Sequence, residues 1–312
     1  MSDVPELERI YVHESIGNKI PKEGFVDALS DLPLDVELVG DGYDYEPTDA
    51  IAAFAPRPGF LDAGWVHCIR AGYDAFDTAA YEEAGVAFTN STGIHGTTVS
   101  ELALNMMLSF ARLGHHYRDG QNRNEWLEPP YERPFTVENE RVCVVGLGTI
   151  GEGIATRCDA LGMDVIGVRR SVEPVPGVSE LFSPDRLGEA IDDARFVALT
   201  VPETPETSDL IGAPEFERMR EDSYLINVAR GGVVDEDALI GALGSGGIAG
   251  AGLDVFETEP LPAESPLWEF EEVIVSPHRG SATNRYHLDL ADLFGENVRR
   301  CLSGEPMKNR IV

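Results

Sequence analysis

The segment Gly146-Leu147-Gly148-Thr149-Ile150-Gly151 spaces three glycines as G-x-G-x-x-G between an apolar run, Val142 to Val145, and a helical pattern, Ile150 to Leu161. Each glycine has a use in holding a pyrophosphate. Gly146 permits a tight turn, Gly148 lets backbone approach the phosphates, and Gly151 allows the helix to pack closely. The helix start at Thr149 and Ile150 adds N–H donors and the positive end of the dipole, so the motif predicts a bound dinucleotide. An NAD-binding chain places a carboxylate about 20 residues further on, at the end of the next strand, for the adenosine ribose. Here the run Asp164 to Val168 is followed instead by Arg169, Arg170 and Ser171. Adjacent guanidinium groups suit a 2′-phosphate through charge-assisted contacts. The expectation is NADP(H), with NAD(H) possible.

Three more segments bring ionisable groups to the ends of apolar runs: Asn227 to Gly232, Leu253 to Pro260, and Ser276 to Gly280. Ligands of open α/β sheets bind at such carboxyl ends. Together the segments offer a cation for an anionic substrate, a carboxylate, and an imidazole that titrates near neutrality. The adjacent His115 and His116 lack the spacing to face one metal from a helix, and the other histidines have no metal-ligating company. No metal is expected.

These groups need a scaffold. From Arg141 onward, β-branched runs at Val142 to Val145, Asp164 to Val168, Phe196 to Val201, Tyr224 to Val228, Ile248 to Asp254 and Val273 to Ser276 alternate with helix-length stretches. Runs that are apolar without alternation predict buried parallel strands in βαβ units, hence a doubly wound sheet. The first hundred residues repeat the rhythm more faintly, at Arg9 to Val12, Val36 to Leu38, Ala50 to Phe54, His67 to Ile69 and Val86 to Phe88, which predicts a second, smaller α/β domain. Thr97 to Leu113 reads as a helix apolar on more than one face, packed either within this chain or also on a partner subunit. Asp119 to Arg141, polar and bearing Trp126, Tyr131 and Phe135, reads as a long excursion, and loops of this length tend to be functional. Gly241 to Gly252 reads as a turn between a helix and a strand.

The 312 residues include 55 acidic and only 24 basic side chains, a formal charge of −31, so phosphate backbones and anionic membranes are poor partners. Only Lys19, Lys22 and Lys308 are lysines, and the acids are spread along the whole chain. Self-repulsion on that scale favours a setting of high ionic strength, as in halophiles, where the Debye length shrinks to roughly 3 Å near 1 M salt. The four cysteines are widely spaced without a C-x-x-C pair and read as buried thiols in a reducing compartment. No stretch suggests a signal peptide or a membrane span, and the expected location is the cytoplasm.

The ordered motifs resemble the D-isomer-specific 2-hydroxyacid dehydrogenase family over essentially the whole chain. Besides the glycine fingerprint they comprise Asn90 to Gly93 with Val99-Ser100-Glu101, Val201 to Thr207, Asn227 to Gly231, Asp254 to Pro260, and Pro277-His278. The resemblance implies two Rossmann-like or flavodoxin-like domains, doubly wound parallel sheets with a cleft between them, and a homodimer. Residues 1–97 with 282–312 would form the substrate-binding domain and residues 98–281 the dinucleotide-binding domain. Crossings near Thr97 and Ser281 would act as hinges for domain closure. By motif, Arg230 corresponds to the substrate-binding arginine, Glu259 to the carboxylate partnering the histidine, and His278 to the general acid/base. The cofactor set extends to Val201, Pro202, Thr207, Val228, Ala229, Asp254 and Gly280. Arg70 to Asp77 is similar to the family loop whose backbone N–H groups receive the substrate carboxylate, which assigns Ala71, Gly72 and Tyr73 to substrate. Many members carry two glycines there; this chain keeps only Gly72, with Arg70 at the earlier site. Phe54, Tyr73 and Tyr286 are further candidates to line the pocket, as is Trp126 from a partner chain.

The implied activity is hydride transfer between NADP(H) and a small 2-keto acid or D-2-hydroxy acid. Alternatives within the motif set are 3-phosphoglycerate dehydrogenase and hydroxypyruvate/glyoxylate reductase. Formate dehydrogenase fits less well because such relatives carry an amide at the Glu259 position. The alternative from another class is a non-catalytic, NAD(H)-sensing protein similar to co-repressors of this fold.

Overall fold

The computed structural model describes residues 4–171 and 173–312, and the chain divides into two compact units, residues 1–94 with 282–312 and residues 95–281. The first crossing thus falls at Ile94/His95, three residues before the position expected from the motifs. The strands of the smaller unit are β1 (Arg9–His13), β2 (Val36–Val39), β3 (Asp49–Ala53), β4 (Trp65–Cys68) and β5 (Ala87–Asn90). Those of the larger unit are β6 (Arg141–Val145), β7 (Asp164–Val168), β8 (Glu180–Phe182), β9 (Phe196–Leu199), β10 (Tyr224–Asn227), β11 (Gly250–Leu253) and β12 (Val273–Val275). The α-helices are α1 (Lys22–Ala28), α2 (Thr78–Ala84), α3 (Gly96–Ala111), α4 (Gly114–Arg123), α5 (Thr149–Ala160), α6 (Leu187–Ile191), α7 (Ala213–Arg218), α8 (Glu236–Ser245) and α9 (Tyr286–Leu302).

Both sheets are parallel throughout, in the orders β2-β1-β3-β4-β5 and β12-β11-β10-β9-β6-β7-β8. Successive side chains of a strand point to opposite faces, so a strand buried on both faces feeds two cores. In the larger unit, Val142, Val144 and Ala198 pack with Met106, Phe110 and Ile154, while Cys143, Val145 and Leu199 pack with Ile191, Phe216 and Leu239. The smaller unit repeats this: Ile10, Val12 and Ala52 face Phe25, Phe294 and Val298, and Ile51, Ala53 and Val66 face Phe60, Tyr81 and Phe88. Trp65 stacks on Phe294 at 4.8 Å, which ties the C-terminal helix α9 to the N-terminal sheet. That stack, with the packing of Leu290 and Val298 on Ile10 and Phe25, joins both chain ends in one unit.

Several local readings are corrected. Strands β9 and β10 end at Leu199 and Asn227, short of the expected Val201 and Val228, because the chain leaves the sheet there to form ligand-edge turns. The edge strand β8 was not anticipated; it is three residues long and carries little pattern. Helix α4 runs into the Asp119 to Arg141 excursion, so the irregular part begins after Arg123. The Gly241 to Gly252 stretch is mostly element: α8 continues to Ser245 and β11 starts at Gly250, leaving a short turn opened by Gly246 at φ 73°. No described helix is long and apolar enough to cross a membrane.

All four cysteines are free and buried, and burial pushes the Cys143 and Cys158 thiols up to about 12. His67, also fully buried, bonds to Thr89 Oγ1 at 2.7 Å and Ser91 Oγ at 3.0 Å, and desolvation lowers its pKa to about 3. It is a neutral core histidine.

Candidate active site and cofactor edge

Strand β6 ends at Val145, and Gly146 turns the chain with φ at 93°, a conformation that strains any residue with a Cβ. A Cβ on Gly151 would sit 2.0 Å from the Gly146 carbonyl oxygen, so glycine is required for α5 to start this close to the strand. Gly148 differs: its φ is −90° and a Cβ there would meet nothing within 4 Å. The space over Gly148 is therefore open, with exposed Thr149 and the first N–H groups of α5 beside it. This is the arrangement a pyrophosphate needs. Thr200, just past β9, closes the turn from the side by donating its hydroxyl to the Gly146 carbonyl at 2.6 Å.

Beyond β7, Arg169 is half-buried and Arg170 and Ser171 are exposed. Among the described residues neither guanidinium forms an ion pair, whereas Arg57, Arg141, Arg186 and Arg218 each have one. After β9, Val201 and Pro202 lead into a turn that Thr207 closes, its Oγ1 donating to the Pro202 carbonyl at 2.6 Å and accepting from the Thr204 N–H at 2.8 Å.

Strand β10 delivers Asn227, which is buried; its amide donates to the Arg230 carbonyl at 3.0 Å and its oxygen accepts from the Ala229 N–H at 3.1 Å. That pair of bonds folds Val228 and Ala229 inward and turns Arg230 outward. The Arg230 guanidinium donates to the Ala229 carbonyl at 2.7 Å, which sets its direction, and no other hydrogen bond or ion pair of the guanidinium is found among the described residues. Gly231 is pressed against Phe256, where a Cβ would overlap backbone at 2.0 Å, so the turns after β10 and β11 touch.

Asp254 follows β11 and is 3% exposed. Its Oδ1 accepts from Ser276 Oγ at 2.5 Å and from the Arg279 N–H at 2.8 Å, and its Oδ2 accepts from the Gly280 N–H at 2.8 Å. Motif comparison grouped Asp254 and Gly280 with the cofactor residues; here they bond to each other and shape the loop that carries His278. His278 itself adopts φ 51°, with its N–H bonded to the Asp254 carbonyl at 2.8 Å. Its Nδ1 lies 2.8 Å from Glu259 Oε2, while Glu259 Oε1 accepts from the Phe256 N–H at 3.2 Å. A carboxylate accepts only, so Nδ1 carries the hydrogen and Nε2 is the nitrogen left to exchange a proton.

His95, which sequence reasoning passed over, lies near this edge. Burial first, and the Arg230 charge second, lower its pKa to about 4, so it is neutral near pH 7. No local signal marks it, because its neighbour Arg230 is far away in sequence. Within the smaller unit, Ala71, Gly72 and Tyr73 follow β4; the Ala71 carbonyl accepts from Asn90 Nδ2 at 2.6 Å, and the Tyr73 ring packs on Phe88 at 6.0 Å. Among the described residues no group of three or more His, Cys, Asp or Glu is placed to hold a metal.

The family model described as D-isomer specific 2-hydroxyacid dehydrogenase, NAD binding domain, matches residues 104–280. A glyoxylate reductase from Korarchaeum cryptofilum is 32% identical over 298 residues, covering 93% of this chain and 86% of the relative. A glyoxylate/hydroxypyruvate reductase B from Yersinia pestis is 34% identical over 245 residues, covering 77% and 75%. Among solved structures, a D-isomer specific 2-hydroxyacid dehydrogenase from Xanthobacter autotrophicus Py2, in complex with NADPH and MES, superposes with a TM-score of 0.83 at 31% identity over 98% of each chain.

The contrast among the three glycines gives a direct test. Gly148→Ala is expected to fold with unchanged thermal stability in the absence of nucleotide and to lose about tenfold or more in NADPH affinity, because its methyl group occupies only space meant for phosphate; fluorescence titration and melting curves measure the two effects separately. By its sequence, its fold and its relatives, the chain belongs to the D-isomer specific 2-hydroxyacid dehydrogenase family of NAD(P)-dependent oxidoreductases.

Proposed function

We propose that the chain is an NADP(H)-preferring 2-keto acid reductase, equally a D-2-hydroxyacid dehydrogenase, with Arg230, Glu259 and His278 as its catalytic set. The observation that carries this reading is the 2.8 Å contact of His278 with Glu259, on the same sheet edge as the open glycine turn. When bound, the nicotinamide supplies the hydride. Arg230 binds the keto acid and polarises its carbonyl, so that the oxyanion developing during reduction meets a fixed positive charge. His278, held through Nδ1 by Glu259, gives the Nε2 proton to that oxygen; in the reverse direction it removes the proton. Backbone N–H groups of Ala71, Gly72 and Tyr73 receive the substrate carboxylate. The relatives named glyoxylate reductase and glyoxylate/hydroxypyruvate reductase support reduction of a small 2-keto acid over a purely sensing role.

The preference for NADP(H) rests on Arg169, Arg170 and Ser171, where two cations without an ion pair among the described residues, and a hydroxyl, follow β7. The solved relative in complex with NADPH is in line with it. The reading also includes a homodimer in the cytoplasm of a cell with high internal salt. Trp126 and Tyr131, 91% and 93% exposed in the single chain, supply the apolar surface a partner would cover. The charge of −31 supplies the need for salt.

His278→Ala is expected to lower kcat by about 10²- to 10⁴-fold, the usual cost of losing a positioned acid, with NADPH affinity retained; NADPH oxidation followed with glyoxylate and hydroxypyruvate measures it, and turnover equal to the parent would remove the assignment. Arg169→Asp is expected to shift the NADPH-over-NADH ratio of kcat/KM by about tenfold or more towards NADH, the scale of one lost charge-assisted pair. Sedimentation and melting in dilute buffer and in multimolar KCl are expected to give a dimer that melts higher in salt; a monomer, or melting indifferent to salt, would remove the corresponding part.

A further inference from the structure

In the smaller unit the strand order β2-β1-β3-β4-β5 reverses direction between β1 and β3, the switch point where open parallel sheets take ligands outside their carboxyl ends. Three residues just past strand ends meet there. Lys19 follows β1 and a short 3-10 turn, Phe54 follows β3 directly, and Arg70 comes two residues after β4. Lys19 Nζ lies 5.3 Å from the centroid of the Phe54 ring, and Arg70 Cζ lies 4.7 Å from it. The backbone beneath them is pinned. Phe54 N–H donates to Ser15 Oγ at 3.3 Å, the Tyr286 hydroxyl donates to the Ile69 carbonyl at 2.8 Å, and the Arg70 carbonyl accepts from the Ser91 N–H at 3.0 Å.

The charges on this ring are unbalanced. Among the described residues neither Lys19 nor Arg70 has a carboxylate within ion-pair distance, and the buried Arg70 Nε has no hydrogen-bond acceptor. With 55 acids against 24 bases, a carboxylate partner is the easiest thing for this chain to supply. Two like charges held against one aromatic ring repel each other, and the ring's attraction orients the cations without using up their N–H donors. An anion beside these cations offsets the repulsion and satisfies the free donors.

We infer that Lys19, Arg70 and Phe54 form an anion site, and that the enzyme favours a 2-keto acid bearing a second anionic group, carboxylate or phosphate, over glyoxylate. The inference rests on the reading that this unit takes the substrate. In that reading the α-carboxylate belongs to the Ala71 to Tyr73 backbone, which leaves the Lys19/Arg70 pair for another anion. Arg70 and Lys19 are thus specificity determinants outside the hydride-transfer set.

Steady-state kinetics with NADPH, at the lowest salt that keeps the protein folded, compare glyoxylate with oxaloacetate and 2-oxoglutarate as dicarboxylates and with 3-phosphohydroxypyruvate as the phosphate. At least one dianion is expected to exceed glyoxylate in kcat/KM by about tenfold, and Arg70→Ala and Lys19→Gln are each expected to lower that ratio by about the same factor; Arg70→Lys keeps more of it than Arg70→Ala. Whether dicarboxylate or phosphate gains most identifies the second group. Lys19 is exposed, so Lys19→Gln reports even if the Arg70 variants misfold. Reduction of glyoxylate with no dianion preference, or an equal loss for all substrates in the variants, overturns this inference and leaves the reductase reading standing. Should no 2-keto acid be reduced, the reductase reading fails, and the anion site is judged on protection from thermal unfolding by inorganic phosphate and malonate: protection that the variants lose supports it, and equal or absent protection overturns it.

Discussion

The buried carboxylate of Asp254 is the contact on which the His278 edge of the larger unit depends. A carboxyl group sealed away from water without donors costs several kcal/mol, so the end of β11 and the loop after β12 must fold together. Three donors from that loop meet it, from Ser276, Arg279 and Gly280, and the Asp254 carbonyl takes the His278 N–H as well. The imidazole is thereby fixed from its own backbone, and Glu259, anchored through the Phe256 N–H, fixes it from the ring. A positioned acid needs both restraints, since an exposed side chain held by one hydrogen bond alone samples many rotamers.

The same economy of backbone governs the cofactor edge. Parallel strands release all their carboxyl ends on one side, so the turns after β6, β7, β9, β10 and β11 share an edge without any long-range design beyond the sheet order. Close approach then decides residue type. Gly151 against Gly146, and Gly231 against Phe256, leave no space for a side chain, whereas Gly148 leaves space that no protein atom fills. Identical residues in one motif thus have opposite physical reasons, internal packing in one case and external access in the other.

Charge is distributed with a comparable division. Among the described residues several basic side chains, Arg141, Arg186 and Arg218 among them, are drawn into pairs with surrounding acids, which outnumber the bases more than twofold. Among the described residues, the cations without an ion pair include five just past strand ends at the carboxyl edges: Arg169, Arg170 and Arg230 in the larger unit, Lys19 and Arg70 in the smaller. In a strongly acidic protein these positions create local potentials opposite in sign to the overall field, and anionic ligands are drawn to them.

Much of this molecule was legible in the chain itself. The two α/β units, the turn from β6 into α5, and the Arg169-Arg170 pair are written in contiguous residues, because strand and helix periodicity and turn-forming glycines are local properties. Arg230, Glu259 and His278 were legible as an ordered set of motifs, though their roles came from resemblance and not from spacing. The tertiary structure alone decided which of these groups meet. It turned Asp254 onto the His278 loop, brought His95 close to Arg230, and set Lys19 and Arg70 on the Phe54 ring. Each of those contacts joins residues that lie far apart in the chain, and it exists because the order of strands in a sheet chooses neighbours that no local pattern encodes.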